Sequence, residues 1–226
     1  MKLIINADDF GVSESINKAI VQSFQENLIS SSTVMTNMPD FDEACELINK
    51  HNLHGKIGIH LNLTAGYPVT EKISRHKKFC DDNGRFNSQR NKYFWLNKEE
   101  RQAVYEEFQG QLNRLFDKNI IPTHIDSHHH YHTEWAIVKQ VLRVAQNNNI
   151  KSIRLTRNCG KGISKIKRIY KNIYNYNLTS RGFSEIQYFG SAADIMTISR
   201  PELYNIEVMV HPGYSSEGGV SGFIYR

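Results

Sequence analysis

Leu3-Ile4-Ile5-Asn6-Ala7-Asp8-Asp9-Phe10-Gly11-Val12-Ser13 opens the chain and decides how the rest of it is read. Leu3 to Ala7 is an apolar run of strand length, and Asp8-Asp9-Phe10-Gly11 is an acidic loop. Ser13 then stands as N-cap to a helix that carries Ile16, Ala19, Ile20 and Phe24 at helical spacing. Strand, polar loop, helix is the unit from which mainly parallel sheets are built.

The unit recurs outward from there. Ser31 to Thr36 is a second strand, followed by a helix with Phe41, Ala44 and Ile48 inward and a capping-box pattern at Asp40 and Glu43. Lys56 to Leu63 is a third strand with His60 near its end. Residues 64–96 lose all periodicity and read as a long lid-like insertion. The spacing of Val104, Phe108 and Leu112 predicts a helix over 98–117, and that of Ile137, Val141 and Val144 predicts another over 134–147. Residues 153–155 and 185–189 are weaker strands, and Glu207 to Val210 is a strong one, ending at His211-Pro212. This alternation makes a single α/β domain over 1–226, either a barrel or an open doubly wound sheet. In both, ligands gather where the strands end.

Acids and imidazoles stand at those ends. Asp8-Asp9, His60 and His211 each stand at or just beyond the end of a strand, and Thr123-His124-Ile125-Asp126-Ser127-His128-His129-His130-Tyr131-His132 holds five of the chain's 10 histidines. Alone, Asp8-Asp9 fits an acidic turn and His60 a core histidine. Their joint placement points to a metal site of carboxylate and imidazole ligands with coordination positions left open. The two-residue strand period puts His124, Asp126 and His128 on one face, where Asp126 would orient a ligand imidazole.

Composition narrows the class. No apolar run approaches the length of a membrane helix, and the N-terminus has no secretory signal, so a cytoplasmic protein without membrane contact is expected. Cys45, Cys80 and Cys159 lack metal-ligand spacing. The net charge of +5 is concentrated in Lys161, Lys165, Lys167, Arg168 and Lys171. On a helix these would form the solvated face opposite a buried stripe of Ile163, Ile166, Ile169 or Tyr170, and Ile173, so no nucleic-acid partner is expected.

Four motifs carry a family resemblance: Asn6-Ala7-Asp8-Asp9-Phe10-Gly11, Gly58-Ile59-His60-Leu61-Asn62-Leu63-Thr64, Thr123-His124-Ile125-Asp126-Ser127-His128-His129-His130 and Val210-His211-Pro212-Gly213-Tyr214. In order and separation they resemble the YdjC-like, ChbG-type carbohydrate deacetylases. The resemblance implies a TIM-like, irregular (β/α) barrel acting on N-acetylated oligosaccharides. It implies Asp9, His60 and His128 as metal ligands, Asp8 as catalytic base and His211 as acid. The family's metal is Mg²⁺, and the two imidazoles leave Zn²⁺ or another transition ion open. Arg154, near a strand end, would keep Asp8 ionised. Such a barrel would continue past His211-Pro212, so the C-terminal closing element is expected to be absent or replaced. A phosphoesterase, a non-catalytic sugar-binding relative and a homodimer stay open.

Overall fold

In the computed structural model, which describes residues 1–88, 93–215 and 219–223, the opening stretch forms β1 (Leu3–Phe10) and α1 (Glu14–Gln25). Ser13 caps α1 by accepting the Ile16 N–H. The chain continues through β2 (Ser31–Val34), α2 (Phe41–Lys50), β3 (Ile57–Leu61), α3 (Glu71–Ser74), α4 (Lys98–Asp117), β4 (Ile125–Ser127), α5 (Trp135–Asn147) and α6 (Lys165–Thr179). β5 (Tyr188–Ser191), α7 (Ala192–Ile195) and β6 (Ile206–Val210) follow, then a short hairpin of β7 (Gly213–Tyr214) and β8 (Val220–Ser221).

The first six strands form one parallel half-barrel sheet in the order β4-β3-β2-β1-β6-β5. Between its two edges run residues 152–158. Ile125 N–H donates to Ser152 O and Arg154 N–H to Ile125 O, both at 2.9 Å, while Asn158 N–H reaches Phe189 O at 3.2 Å. Residues 153–155, expected as a strand, thus make a single bridge, Ile125 to Ile153, beside β4.

Strand alternation sorts the residues into two layers. Ile57, Ile59 and Leu61 of β3 and Ile206, Val208 and Val210 of β6 join Ile20, Ile48, Phe108, Leu112 and Val141 of the helices in one apolar core. Each such side chain contributes roughly 1.5–3 kcal/mol on burial. The inner face is polar: Asn6, Asp8, Ser31, Thr33, His60, Asp126, Arg154 and Glu207 are all buried there. Those groups must bond to one another, because a buried polar atom without a partner costs about 1–3 kcal/mol.

Two local expectations change. Asp40 makes no side-chain cap bond, and Glu43 Oε2 instead accepts from Asn17 Nδ2 at 2.7 Å, tying α2 to α1. α6 turns the other way from its isoleucine stripe: Ile166, Ile169 and Ile173 are exposed and Tyr174, Asn175 and Leu178 are buried. Polar anchors decide this, since Tyr174 Oη donates to His132 O at 2.7 Å and Asn175 Oδ1 accepts from Thr156 N–H at 2.8 Å.

The 64–96 segment contains α3 and is pinned to α4 by the buried Glu107, which accepts from Val69 N–H, Thr70 N–H and Thr70 Oγ1 at 2.9, 2.8 and 2.6 Å. Residues 89–92 of that expected insertion lie outside the described residues. Burial pushes the Cys45 and Cys80 thiols up to about 12 and Cys159 up to about 11. No described helix is long and apolar enough to cross a membrane.

Candidate metal centre and catalytic groups

Adjacent strand residues point to opposite faces, so Asp8 and Asp9 need a backbone irregularity to serve one site. The β1–β2 register shifts between Ala7 and Phe10, and Asp9 takes a left-handed φ of 72°. Aspartate tolerates that region better than most residues. As a result Asp8 turns into the half-barrel and Asp9 to its rim.

Asp9 Oδ1 lies 3.3 Å from His60 Nε2 and 2.9 Å from His128 Nδ1. One ligand atom from each of these three residues falls within 4.8 Å of the others. Burial alone would raise the Asp9 carboxyl, but hydrogen bonds from His128 and His60 hold it well below the usual range. His60, at the end of β3, is fully enclosed. Its Nδ1 donates to Asp126 Oδ1 at 2.6 Å, and Thr33 Oγ1 donates to Asp126 Oδ2 at 2.9 Å. Burial would depress this imidazole, yet the charge and hydrogen bond of Asp126 outweigh it and push His60 up to about 10. With Nδ1 committed to Asp126, Nε2 is the atom left to face a cation.

A carboxylate and two imidazoles at this spacing fit a divalent ion with open positions toward solvent. Asp8, His60 and Asp126 also converge. That space is already filled by a cation, because Arg154 Nη1 is 2.8 Å from Asp8 Oδ2 and 2.6 Å from Asp126 Oδ2. Arg154 Nη2 donates to Asp8 Oδ1 at 2.8 Å, completing a bidentate pair, and Asn6 Nδ2 donates to the same oxygen at 2.9 Å. His211 Nε2 stands 4.0 Å from Asp8 Oδ2 and 3.9 Å from Asp9 Oδ2.

All six singled-out residues, Asp8, Asp9, His60, His128, Arg154 and His211, therefore meet at the C-terminal ends of the strands. Within the histidine run the roles differ from the face-sharing expectation. Asp126 orients His60 on the neighbouring strand, while His128 lies past the end of β4, at the start of a 3₁₀ turn spanning 128–133. His124 Nε2 bonds Asn6 Oδ1 at 3.1 Å. His129 stacks on His128 at 4.0 Å between ring centroids, and His132 is buried against Ser127 Oγ at 2.6 Å. Arg157 pairs with Asp194 outside the cluster.

Thr33, Asn6 and Glu207 were not singled out by the sequence. Thr33 links His60 to Asp126, Asn6 buttresses Asp8, and Glu207 Oε1 accepts from Arg154 Nε at 2.6 Å. Their one available signal is the polarity of Ser31-Ser32-Thr33 and Glu207 within strands that are otherwise apolar.

Known proteins resemble this chain in sequence and in fold. A carbohydrate deacetylase of Brevibacillus brevis is 34% identical over 230 residues, spanning 100% of this chain and 86% of the relative. One from Halalkalibacterium halodurans is 31% identical, spanning 96% and 87%. A crystal structure from Enterococcus faecalis V583, described as a candidate cellobiose-phosphate cleavage protein, superposes with a TM-score of 0.70 at 22% identity, covering 96% of this chain and 82% of that one. The family model for YdjC-like proteins matches residues 2–224. With nearly its whole length matched, and with the Asp, His and Arg cluster at the strand ends, this chain belongs to the YdjC-like protein family.

Proposed function

We propose that the protein is a metal-dependent hydrolase that removes acetyl groups from N-acetylated sugars of the chitooligosaccharide type. The observation that carries this reading is the pairing of two unlike sites around one pair of acids. Asp9, His60 and His128 form a cation-binding trio, and Asp8, clamped by Arg154 on one side, has His211 Nε2 at 4.0 Å on the other. The relatives named carbohydrate deacetylase support the coarser part of this reading, deacetylation of a carbohydrate.

An amide is a poor electrophile and water a poor nucleophile. A divalent ion, when bound by Asp9, His60 and His128, supplies the Lewis acidity that corrects both. Mg²⁺ is the expected ion, and the two imidazoles suit Zn²⁺ or another transition ion as well. The chain's own groups handle the protons. Asp8, fixed in orientation by the Arg154 fork and Asn6, takes a proton from the attacking water as the bond from water oxygen to acetyl carbon forms. As the C–N bond breaks, the sugar nitrogen receives a proton from His211 Nε2. The products are acetate and a free amino sugar.

The test is acetate release from N-acetylglucosamine oligomers, in EDTA and with Mg²⁺ or Zn²⁺ restored. Activity is expected to vanish in EDTA, to return with metal, and to fall at least about 100-fold in Asp8→Asn. Turnover indifferent to chelation, or release of phosphate from sugar phosphates without acetate from any acetylated sugar, overturns the reading.

A further inference from the structure

Arg154 is a cation with no exposed side-chain surface and three carboxylates around it. Two of them belong to the site, Asp8 as the base and Asp126 as the acceptor that orients His60. The third, Glu207, comes from the opposite end of the half-barrel. Glu207 pairs in register with Ile4 of β1, four residues before Asp8, which is about 13 Å along the strand. It borders a cavity of about 310 Å³ at the N-terminal ends of the strands, lined also by Lys2, Lys56 and His124, whereas the metal trio lies at the C-terminal ends. The hydrogen bond of Glu207 toward the chemistry is the one it accepts from Arg154 Nε.

Neutralisation does not explain the third carboxylate, because Asp8 and Asp126 already exceed the one positive charge. Burial also pushes the Glu207 carboxyl upward, against the pull of Arg154. Geometry does explain it. A guanidinium is a rigid plane with five N–H directions. Asp8 and Asp126 bind only its Nη edge, with Nη1 shared between them at 2.8 and 2.6 Å. Fixing Nε by a 2.6 Å bond to Glu207 Oε1, with the Phe189 ring 4.8 Å from Cζ, sets the plane and therefore the aim of both Nη groups.

We propose that Glu207 is a positioning residue for the reaction: its oxygen anchors Arg154 Nε, and through that plane it holds the Asp8 carboxylate in line with its proton. This rests on the deacetylase reading for its kinetic part and on geometry for its structural part.

Two substitutions separate geometry from charge. Glu207→Gln keeps an acceptor oxygen at the same reach and loses the charge, and Glu207→Asp keeps the charge but withdraws the oxygen by one methylene. Glu207→Gln is expected to keep kcat within about threefold, and Glu207→Asp to lose at least about tenfold in kcat, with KM and Zn²⁺ affinity unchanged within about twofold. In an Arg154→Lys background the same Glu207→Asp change should add less than about threefold. The inverse ranking, with Asp active and Gln inactive, or a full additional loss in the Arg154→Lys background, overturns the proposal.

A readout independent of turnover is solvent exchange of the Arg154 Nε–H in ¹⁵N NMR spectra. It should be slow in the wild type and Glu207→Gln and fast in Glu207→Asp, and equal rates in all three overturn the anchor. If the wild type releases no acetate, the deacetylase reading fails while the exchange rates still decide the anchor.

Discussion

At the scale of single residues, the site works by giving each nitrogen and oxygen one direction to face. His60 shows this most clearly, since Asp126 and Thr33 hold Nδ1 and leave Nε2 toward Asp9. Asp126 also carries a cost, because the same carboxylate that orients His60 pushes it up to about 10 and so keeps a proton on the ring in the metal-free protein. A cation must displace that proton. We therefore expect apparent Zn²⁺ affinity to rise about tenfold per pH unit between pH 7 and 9, with close to one proton released, read by calorimetry in buffers of different ionisation enthalpy. In Asp126→Asn the proton release at pH 8 should shrink, as His60 loses the charge that raises it. Affinity independent of pH in the wild type would show that His60 does not face the ion.

At the scale of elements, the inner face of the half-barrel imposes size limits as strict as its polarity. A Cβ on Gly58 of β3 would stand 2.6 Å from His124 Cε1 and 2.7 Å from His124 O, so the neighbouring strand leaves room for hydrogen only. Gly58→Ala is expected to lower stability by about 1–3 kcal/mol, measured by urea unfolding. Gly58→Ala combined with His124→Ala should recover part of that loss, because the ring clash is gone and the carbonyl clash stays. An unshifted midpoint in the single variant would mean that β3 and β4 are not packed this closely. Sequence periodicity revealed the elements themselves: α4 over 98–117 follows from local pattern, and so does β6, read over 207–210 and observed over Ile206–Val210. It gave the acids and imidazoles at strand ends for the same reason. Thr33 and Glu207 stayed hidden because their partners lie on distant segments, and contact between distant segments leaves no trace in local spacing, while Asn6 stood in the first motif without a role until the fold showed its bond to Asp8. α6 was misread for a related reason: a stripe of isoleucines shows that a helix has two faces, and the Tyr174 and Asn175 anchors decide which one turns inward.

At the scale of the whole molecule, a polar interior ties folding stability to pH through groups of opposite sign. His132 has no exposed surface, and burial pushes its imidazole down from 6.5 to about 3. The unfolded chain binds a proton there below about pH 6.5 and the folded chain does not. Its contribution is therefore complete above pH 6.5 and lost as pH falls toward 3, amounting to about 2 kcal/mol between pH 7 and 5. His60 runs the other way in the metal-free protein. Raised from 6.5 to about 10, it contributes fully below pH 6.5, and that contribution is lost as pH rises through 10. The metal-free protein should thus be most resistant to urea near neutrality and weaken on both sides. His132→Gln should reduce the fall between pH 7 and 5 by about a third, because burial also pushes His124 and His130 down to about 4, and should leave the alkaline side unchanged. With Zn²⁺ bound the alkaline fall should shrink, because the ion takes the place of the His60 proton, and what is left comes from the buried Cys45, Cys80 and Cys159 thiols. Urea midpoints at pH 5, 7 and 9, with EDTA and with Zn²⁺, separate the two histidines. An acid slope equal in the wild type and His132→Gln would remove His132 from the account, and an alkaline fall that Zn²⁺ leaves unreduced would remove His60.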